Sequence, residues 1–173
     1  MSMIGITCLR QARPGDRTML ADIAYRAWET GILPLLAEKP GMRISEQRRL
    51  SHAVSESLDR IVVADHDGVA VGWCSRAKNR AYVPFLFVSP KMQGQGIGSA
   101  LLRRVESLLE LQGAGSVNLE TPADNVRAVR FYQRQGYRIL AMRPESHDGR
   151  NAFTSVRLEK RLQPFKGRVT EED

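Results

Sequence analysis

The sequence predicts an α/β (α+β) chain, a mixed sheet with helices packed on it, and three observations carry that prediction. Period-2 and period-3.6 apolar patterns alternate in the order β-α-α-β-β-β-α-β-α-β-β. The most continuous apolar run, residues 82–88, is followed after one polar loop by the strongest helical stripe, over 97–112. The 173 residues, 42% of them hydrophobic, suit one domain with a single sizeable core.

Residues 6–11 alternate as a short strand should. Pro14-Gly15-Asp16 then punctuates the chain, and Leu20, Ile23, Ala24, Ala27 and Trp28 follow at helical spacing, which predicts a helix near 15–30. Pro34, Pro40 and Gly41 mark a loop, and Leu50, Val54 and Leu58 make one stripe of a second helix over 44–58. Ile61-Val62-Val63-Ala64 is strand-like, Asp67-Gly68 is a hairpin turn signal, and residues 69–74 return as its partner. Residues 82–88 read as a strand buried on both faces, with Pro84 demoting the first half to an edge or a bulge. After the helix at 97–112, Gly113 and Gly115 stop the period. A strand over 116–121, a helix over 124–135 stopped by Gly136, a strand over 137–143 and a last strand over roughly 151–160 complete the order. The tail from Gln163 to Asp173 has no period and is expected to be loose, leaving 1–162 as the domain.

Composition narrows the function classes. The net charge is +7 and the sequence pI about 9.9, with Arg supplying 21 of the 26 basic residues. That balance attracts any phosphate-bearing ligand. The arginines are dispersed, without a basic run interleaved with aromatics and without helix-turn-helix or zinc-finger spacing, so nucleic-acid binding is not the expected use. No apolar stretch approaches the roughly 20 residues of a membrane span. The first residues lack a basic segment followed by an apolar one, so a cytoplasmic protein is expected. Cys8 and Cys74, 66 positions apart, make neither a disulfide framework nor a metal cluster.

The informative segment is Val88-Ser89-Pro90-Lys91-Met92-Gln93-Gly94-Gln95-Gly96-Ile97-Gly98-Ser99, between the apolar strand and the amphipathic helix. Three glycines in five residues let backbone approach a ligand closely, and the helix start offers unpaired N–H groups and a positive dipole end. Together they predict an anion site for a phosphate or pyrophosphate. No Gly-Lys-Ser/Thr closes the loop, which excludes a P-loop. A dinucleotide fingerprint nearly fits at Gly94 and Gly96, with Ser99 at its third position and Glu120 in the place of the ribose acid. Its position behind two helices and a hairpin counts against it.

Gln93-x-x-Gly96-x-Gly98 resembles motif A of the GNAT superfamily, the GCN5-related N-acetyltransferases, and Asn125-x-x-Ala128-x-x-Phe131-Tyr132-x-x-x-Gly136-Tyr137 is similar to its motif B. The resemblance covers roughly residues 4–162. It implies a single mixed, mostly antiparallel sheet of six to seven strands, splayed at the cofactor site, with about four helices. It also implies acetyl-coenzyme A as cosubstrate, no metal, and transfer of the acetyl group to a primary amine. The pantetheine arm would pair with Leu86, Phe87 and Val88. The pyrophosphate would rest on the loop from Gln93 through Gly94, Gln95, Gly96, Ile97 and Gly98 to Ser99. Asn125 would bond the pantetheine or the backbone around it. A small-molecule amine or a protein N-terminus would be the acceptor, with no membrane partner; a homodimer is compatible with the family.

Amine acetylation by direct attack needs a base for the amine, a donor for the oxyanion and a proton for the leaving thiolate. Leu86 and Val88 offer N–H donors. Tyr132 matches the family's general acid, and Glu120, in a Leu-Glu like that of protein α-amino acetyltransferases, is the candidate base, with a water-mediated base as the other option. Phe131 is expected in the core. Tyr25, Trp28 and Glu29 are candidates for the acceptor pocket, Trp28 suiting the core equally, and His147 is a loop candidate on the same side. The alternative reading is a non-catalytic acyl-CoA-binding or regulatory module on the same fold.

Overall fold

A computed structural model describes residues 7–144 and 154–163. Seven strands and four α-helices run in the order β1 (Thr7–Gln11), α1 (Arg17–Gly31), α2 (Met42–Ser57), β2 (Ile61–His66), β3 (Val69–Ser75), β4 (Phe85–Val88), α3 (Ile97–Leu111), β5 (Ser116–Pro122), α4 (Val126–Arg134), β6 (Arg138–Pro144) and β7 (Thr154–Arg161). The expected order holds throughout. The candidate His147 and the tail beyond Gln163 lie outside the described residues. No described helix is long and apolar enough to cross a membrane.

The strands form an antiparallel sheet of order β1-β2-β3-β4 and a second of order β5-β7-β6. Asp67 and Gly68 take φ of 52° and 83° to close the β2–β3 hairpin, as their residue types suit. The two sheets meet at one parallel bridge between Tyr82 and Asn118. There Asn118 N–H donates to Ala81 O at 3.0 Å, and Val83 N–H donates to Asn118 O at 2.9 Å. Beyond Pro84 the backbone changes sides, since Val83 turns its N–H to β5 whereas Phe85 and Phe87 turn to β3. The β-strand proper therefore begins at Phe85 rather than at Tyr82, and from that point β4 and β5 separate.

Alternation along the central strand β2 divides the interior in two. Ile61 and Val63 pack with Leu20, Trp28, Leu50, Val54 and Trp73 under α1 and α2. Val62 and Ala64 face the other way, with Leu101, Leu102 and Val105 of α3 and Val117, Leu119 and Leu158 of the second sheet. Each such fully buried branched side chain contributes about 1.5–3 kcal/mol.

Two polar clusters cross-link these layers. In one, Arg10 on β1 donates from Nε to Asp65 on β2 at 2.9 Å and from both terminal nitrogens to Asp16, at 2.8 and 3.0 Å. Asp16 also accepts from Arg13 N–H at 2.7 Å, which fixes the approach to α1. In the other, the buried Glu106 of α3 accepts from Tyr137 Oη at 2.8 Å and from Lys160 Nζ at 2.7 Å. A carboxylate can be buried there because both its oxygens are held.

The hydrogen bond from Arg10 is the largest cause holding the Asp16 carboxyl below its ordinary range. A lowered folded-state value stabilises the fold above the ordinary carboxylate pKa, and that contribution is lost as pH falls through the folded value. Arg10→Gln is therefore expected to cost about 1–3 kcal/mol in urea unfolding at pH 7, with the gap to the parent shrinking below about pH 4. An equal gap at both pH values would place the Arg10 contribution elsewhere.

Candidate functional site

Where β4 and β5 part, a cleft of about 1050 Å³ opens, lined by β4, the loop before α3, the end of β5, α4, and the α1–α2 segment. Its floor is the free edge of β4. Ser89 N–H donates to Val71 O at 2.8 Å. With Gly72 opposite Val88 and Trp73 opposite Phe87, that bond makes Phe85 and Phe87 the residues whose backbone groups turn to β3. The N–H groups of Leu86 and Val88 point into the cleft instead. Gly72 allows β3 and β4 this close approach, since a Cβ there would lie 2.9 Å from Phe87 O.

At one end of the cleft the chain turns through Gly94 and Gly96, both left-handed with φ of 79° and 81°. The first bond of α3 runs from Ala100 N–H to Gly96 O at 3.0 Å. Ile97, Gly98 and Ser99 thus present N–H groups without helical partners, and no side chain caps them. Gln93 braces the loop from inside, its Nε2 donating to Val88 O at 3.1 Å. Ser99 Oγ accepts from Gln135 Nε2 at 2.9 Å, tying α3 to the end of α4. Gln95 is exposed and its side chain does not line the cleft. Arg127 and Arg134 line it from opposite ends of α4, and Arg134, next to the Gln135–Ser99 tie, adds positive potential towards the helix start.

Tyr132 and Glu120 both reach the cleft. Tyr132 packs edge-on against Phe131 and Tyr137, at centroid distances of 5.1 and 5.7 Å. Burial pushes its phenol well above the ordinary value, with Cys74 and Tyr82 adding in the same direction. No described group hydrogen-bonds its hydroxyl. Alternation on β5 sends Val117, Leu119 and Thr121 into the interior and leaves Asn118, Glu120 and Pro122 on the opposite face, half-buried. Glu120 makes no ion pair or hydrogen bond among the described residues. Asn125 caps α4, its Oδ1 accepting from Ala128 N–H at 3.2 Å.

Three expectations are corrected. Of Tyr25, Trp28 and Glu29, only Trp28 lines the cleft. Arg43 holds the Glu29 carboxylate, and the Tyr25 ring lies tilted against Trp28 at 5.8 Å. Phe131 is not simply core: it lines the cleft and packs against Gly98. Phe87, expected to pair through its backbone, turns that backbone to β3 and its ring to Trp73. Gln135, Arg49 and Glu106 were not singled out from the sequence; for Glu106 a signal exists, since it stands on the apolar stripe of α3 between Leu102 and Leu109. Among the described residues no group of three or more His, Cys, Asp or Glu side chains is arranged to hold a metal.

Comparison with known proteins adds to this geometry. Residues 18–137 match the acetyltransferase (GNAT) family. An uncharacterised N-acetyltransferase of Methanocaldococcus jannaschii is 33% identical over 99 residues, 55% of this chain and 64% of that protein. The chain spans less than two thirds of the length of the curated relatives it matches. Among solved structures, a GCN5-related N-acetyltransferase from Rhodopseudomonas palustris superposes with a TM-score of 0.74 at 21% identity, covering 94% of this chain and 100% of that one. The PaiA N-acetyltransferase from Thermoplasma acidophilum, solved in complex with coenzyme A, gives 0.69 at 20% identity over 91% and 99% of the two chains. At these identities the structures establish the fold.

Two glycine substitutions separate conformation from space. At Gly96 a new Cβ meets nothing within 4 Å, so Gly96→Val should leave the fold intact and cost only the left-handed backbone, about 1–2 kcal/mol in chemical unfolding. Gly72→Ala puts its methyl against strand backbone and should cost about 1–3 kcal/mol despite its smaller side chain. A Gly72→Ala protein as stable as the parent would contradict the β3–β4 approach described.

Proposed function

The chain belongs to the acetyltransferase (GNAT) family, and from that premise we propose that it is an N-acetyltransferase that uses acetyl-coenzyme A to acetylate a primary amine. One observation carries this reading. A free strand edge, a glycine-lined helix start, a tyrosine hydroxyl and an unpaired carboxylate all open into one cleft.

The residues present suit the cosubstrate. The edge of β4 beyond Pro84 offers the N–H groups of Leu86 and Val88 to an amide-bearing arm, as a further strand would use them. The N–H groups of Gly98 and Ser99, with Arg134 at the end of α4 tied to them, suit a pyrophosphate. Acetyl-coenzyme A supplies the acetyl group as an activated thioester. The chain positions the two substrates and handles two protons.

Glu120 takes a proton from the incoming ammonium, directly or through water, and so makes the amine nucleophilic. The Leu86 or Val88 N–H stabilises negative charge on the acyl oxygen. Tyr132 Oη holds a proton for the departing sulfur. Burial keeps this phenol protonated throughout the neutral range. The same dry surroundings raise the proton affinity of a thiolate beside it, which offsets the rise in the phenol's own.

Acetyl-CoA at 100 times its Kd should stabilise the protein by about 2.7 kcal/mol, read as a rise in Tm. No shift at millimolar ligand removes the cosubstrate assignment. Gly96→Val should weaken that binding, because its side chain stands where the pyrophosphate approaches.

Tyr132→Phe should lower kcat by about 10²–10⁴-fold with little change in acetyl-CoA affinity, since the ring still packs. With its phenol pushed up by burial, the parent should show no activity loss from Tyr132 ionisation below about pH 10. Glu120→Gln should lower kcat/KM by about 10²–10⁴-fold with acetyl-CoA binding kept. Activity of Tyr132→Phe within about threefold of the parent would make Tyr132 structural. Binding of acetyl-CoA without thiol release to any amine would mark a binding module.

A further inference from the structure

The half of the cleft facing α1 and α2 has a wall of one character. Trp28, Ile32, Leu36, Met42, Phe85 and Phe87 line it. Phe85 and Phe87 stack at 5.9 Å with an interplanar angle of 22°. Both rest on the fully buried Trp73, at 5.9 and 5.3 Å. Trp73 Nε1–H is in turn anchored on Leu20 O at 2.9 Å. This is a fixed aromatic surface.

The charges around it are already matched. The lining contains two carboxylates, Glu46 and Glu120. Glu46 is paired with Arg49, whose guanidinium lies over the Phe85 ring at 5.5 Å from its centroid. That occupies the aromatic face to which a ligand cation would otherwise be drawn. Lys39 lines the same side. Glu29 and Glu38 are held by Arg43, outside the lining. Among the described lining carboxylates only Glu120 makes no ion pair, with Arg157 standing opposite it on β7.

On the reading that this is an N-acetyltransferase, the geometry points to an acceptor with a single amine beside an apolar or aromatic group and no second cation. Glu120 balances one ammonium. A second ammonium, as in a polyamine or an aminoglycoside, would meet Arg49, Lys39 or desolvating apolar surface. Each of these costs affinity. The apolar group of the acceptor instead covers the Phe85–Phe87 wall.

The test measures acetyl-CoA binding by calorimetry and then thiol release on the same preparation with 2-phenylethylamine, a short peptide amide beginning with Phe, and spermidine. One apolar amine should exceed spermidine in kcat/KM by at least about tenfold, and which of them leads tells a free amine from a peptide N-terminus. Arg49→Gln frees the Glu46 carboxylate and should shift that ratio towards spermidine by about tenfold. Spermidine as the equal or better acceptor, an unchanged ratio in Arg49→Gln, or binding of acetyl-CoA with transfer to neither apolar amine overturns the inference. Failure of acetyl-CoA to bind overturns the transferase reading instead.

Discussion

A change of side along one strand shapes this protein. The two sheets are joined at Tyr82 and Asn118, where Val83 turns its N–H to β5, but beyond Pro84 the backbone groups of Phe85 and Phe87 turn to β3, so the parallel ladder ends there. Had pairing continued, β4 and β5 would have closed into one uninterrupted sheet and sealed each other's edges. Because it stops, both strands diverge with unpaired backbone groups, a state that is stable only where something else can satisfy those groups. The cleft, its backbone donors and the inward view of Glu120 all follow from that interruption.

The interior is organised around the same gap. One core under α1 and α2 supports the aromatic wall, while the other, under α3, supports the glycine loop and the α4 tyrosine. Tyr132 gains its order from ring contacts with Phe131 and Tyr137, and Tyr137 is held by Glu106, itself fixed by Lys160. A buried, fully bonded carboxylate thus stands behind the hydroxyl that the chemistry is proposed to use. Such a network fixes one arrangement because losing Lys160 leaves the Glu106 charge buried without a cation and losing Tyr137 leaves one carboxylate oxygen unbonded.

Charge is divided between the two ends of the cleft. The helix start and Arg134 make the loop end positive, whereas at the α1–α2 end Arg49 is paired with Glu46 beside Lys39. The net +7 that first suggested a phosphate ligand therefore acts locally, where backbone N–H groups can add direction to it.

The sequence by itself determined the order of elements, the glycine loop before α3, and the placement of Tyr132 and Glu120 on α4 and β5. These are local properties: apolar period, turn chemistry and residues spaced within one or two elements. Its readings of Tyr25 and Glu29 failed because helical spacing tells which face a residue shares but not what stands opposite. Arg43, supplied by α2, decided that Glu29 looks away from the cleft. The same holds for Gln135 with Ser99, 36 positions apart, and Lys160 with Glu106, 54 apart. The direction of the β4 backbone depended on a bond between Ser89 and Val71. Tertiary structure alone settles such pairings, since contacts between distant segments arise from packing whole layers together and leave no period in the chain.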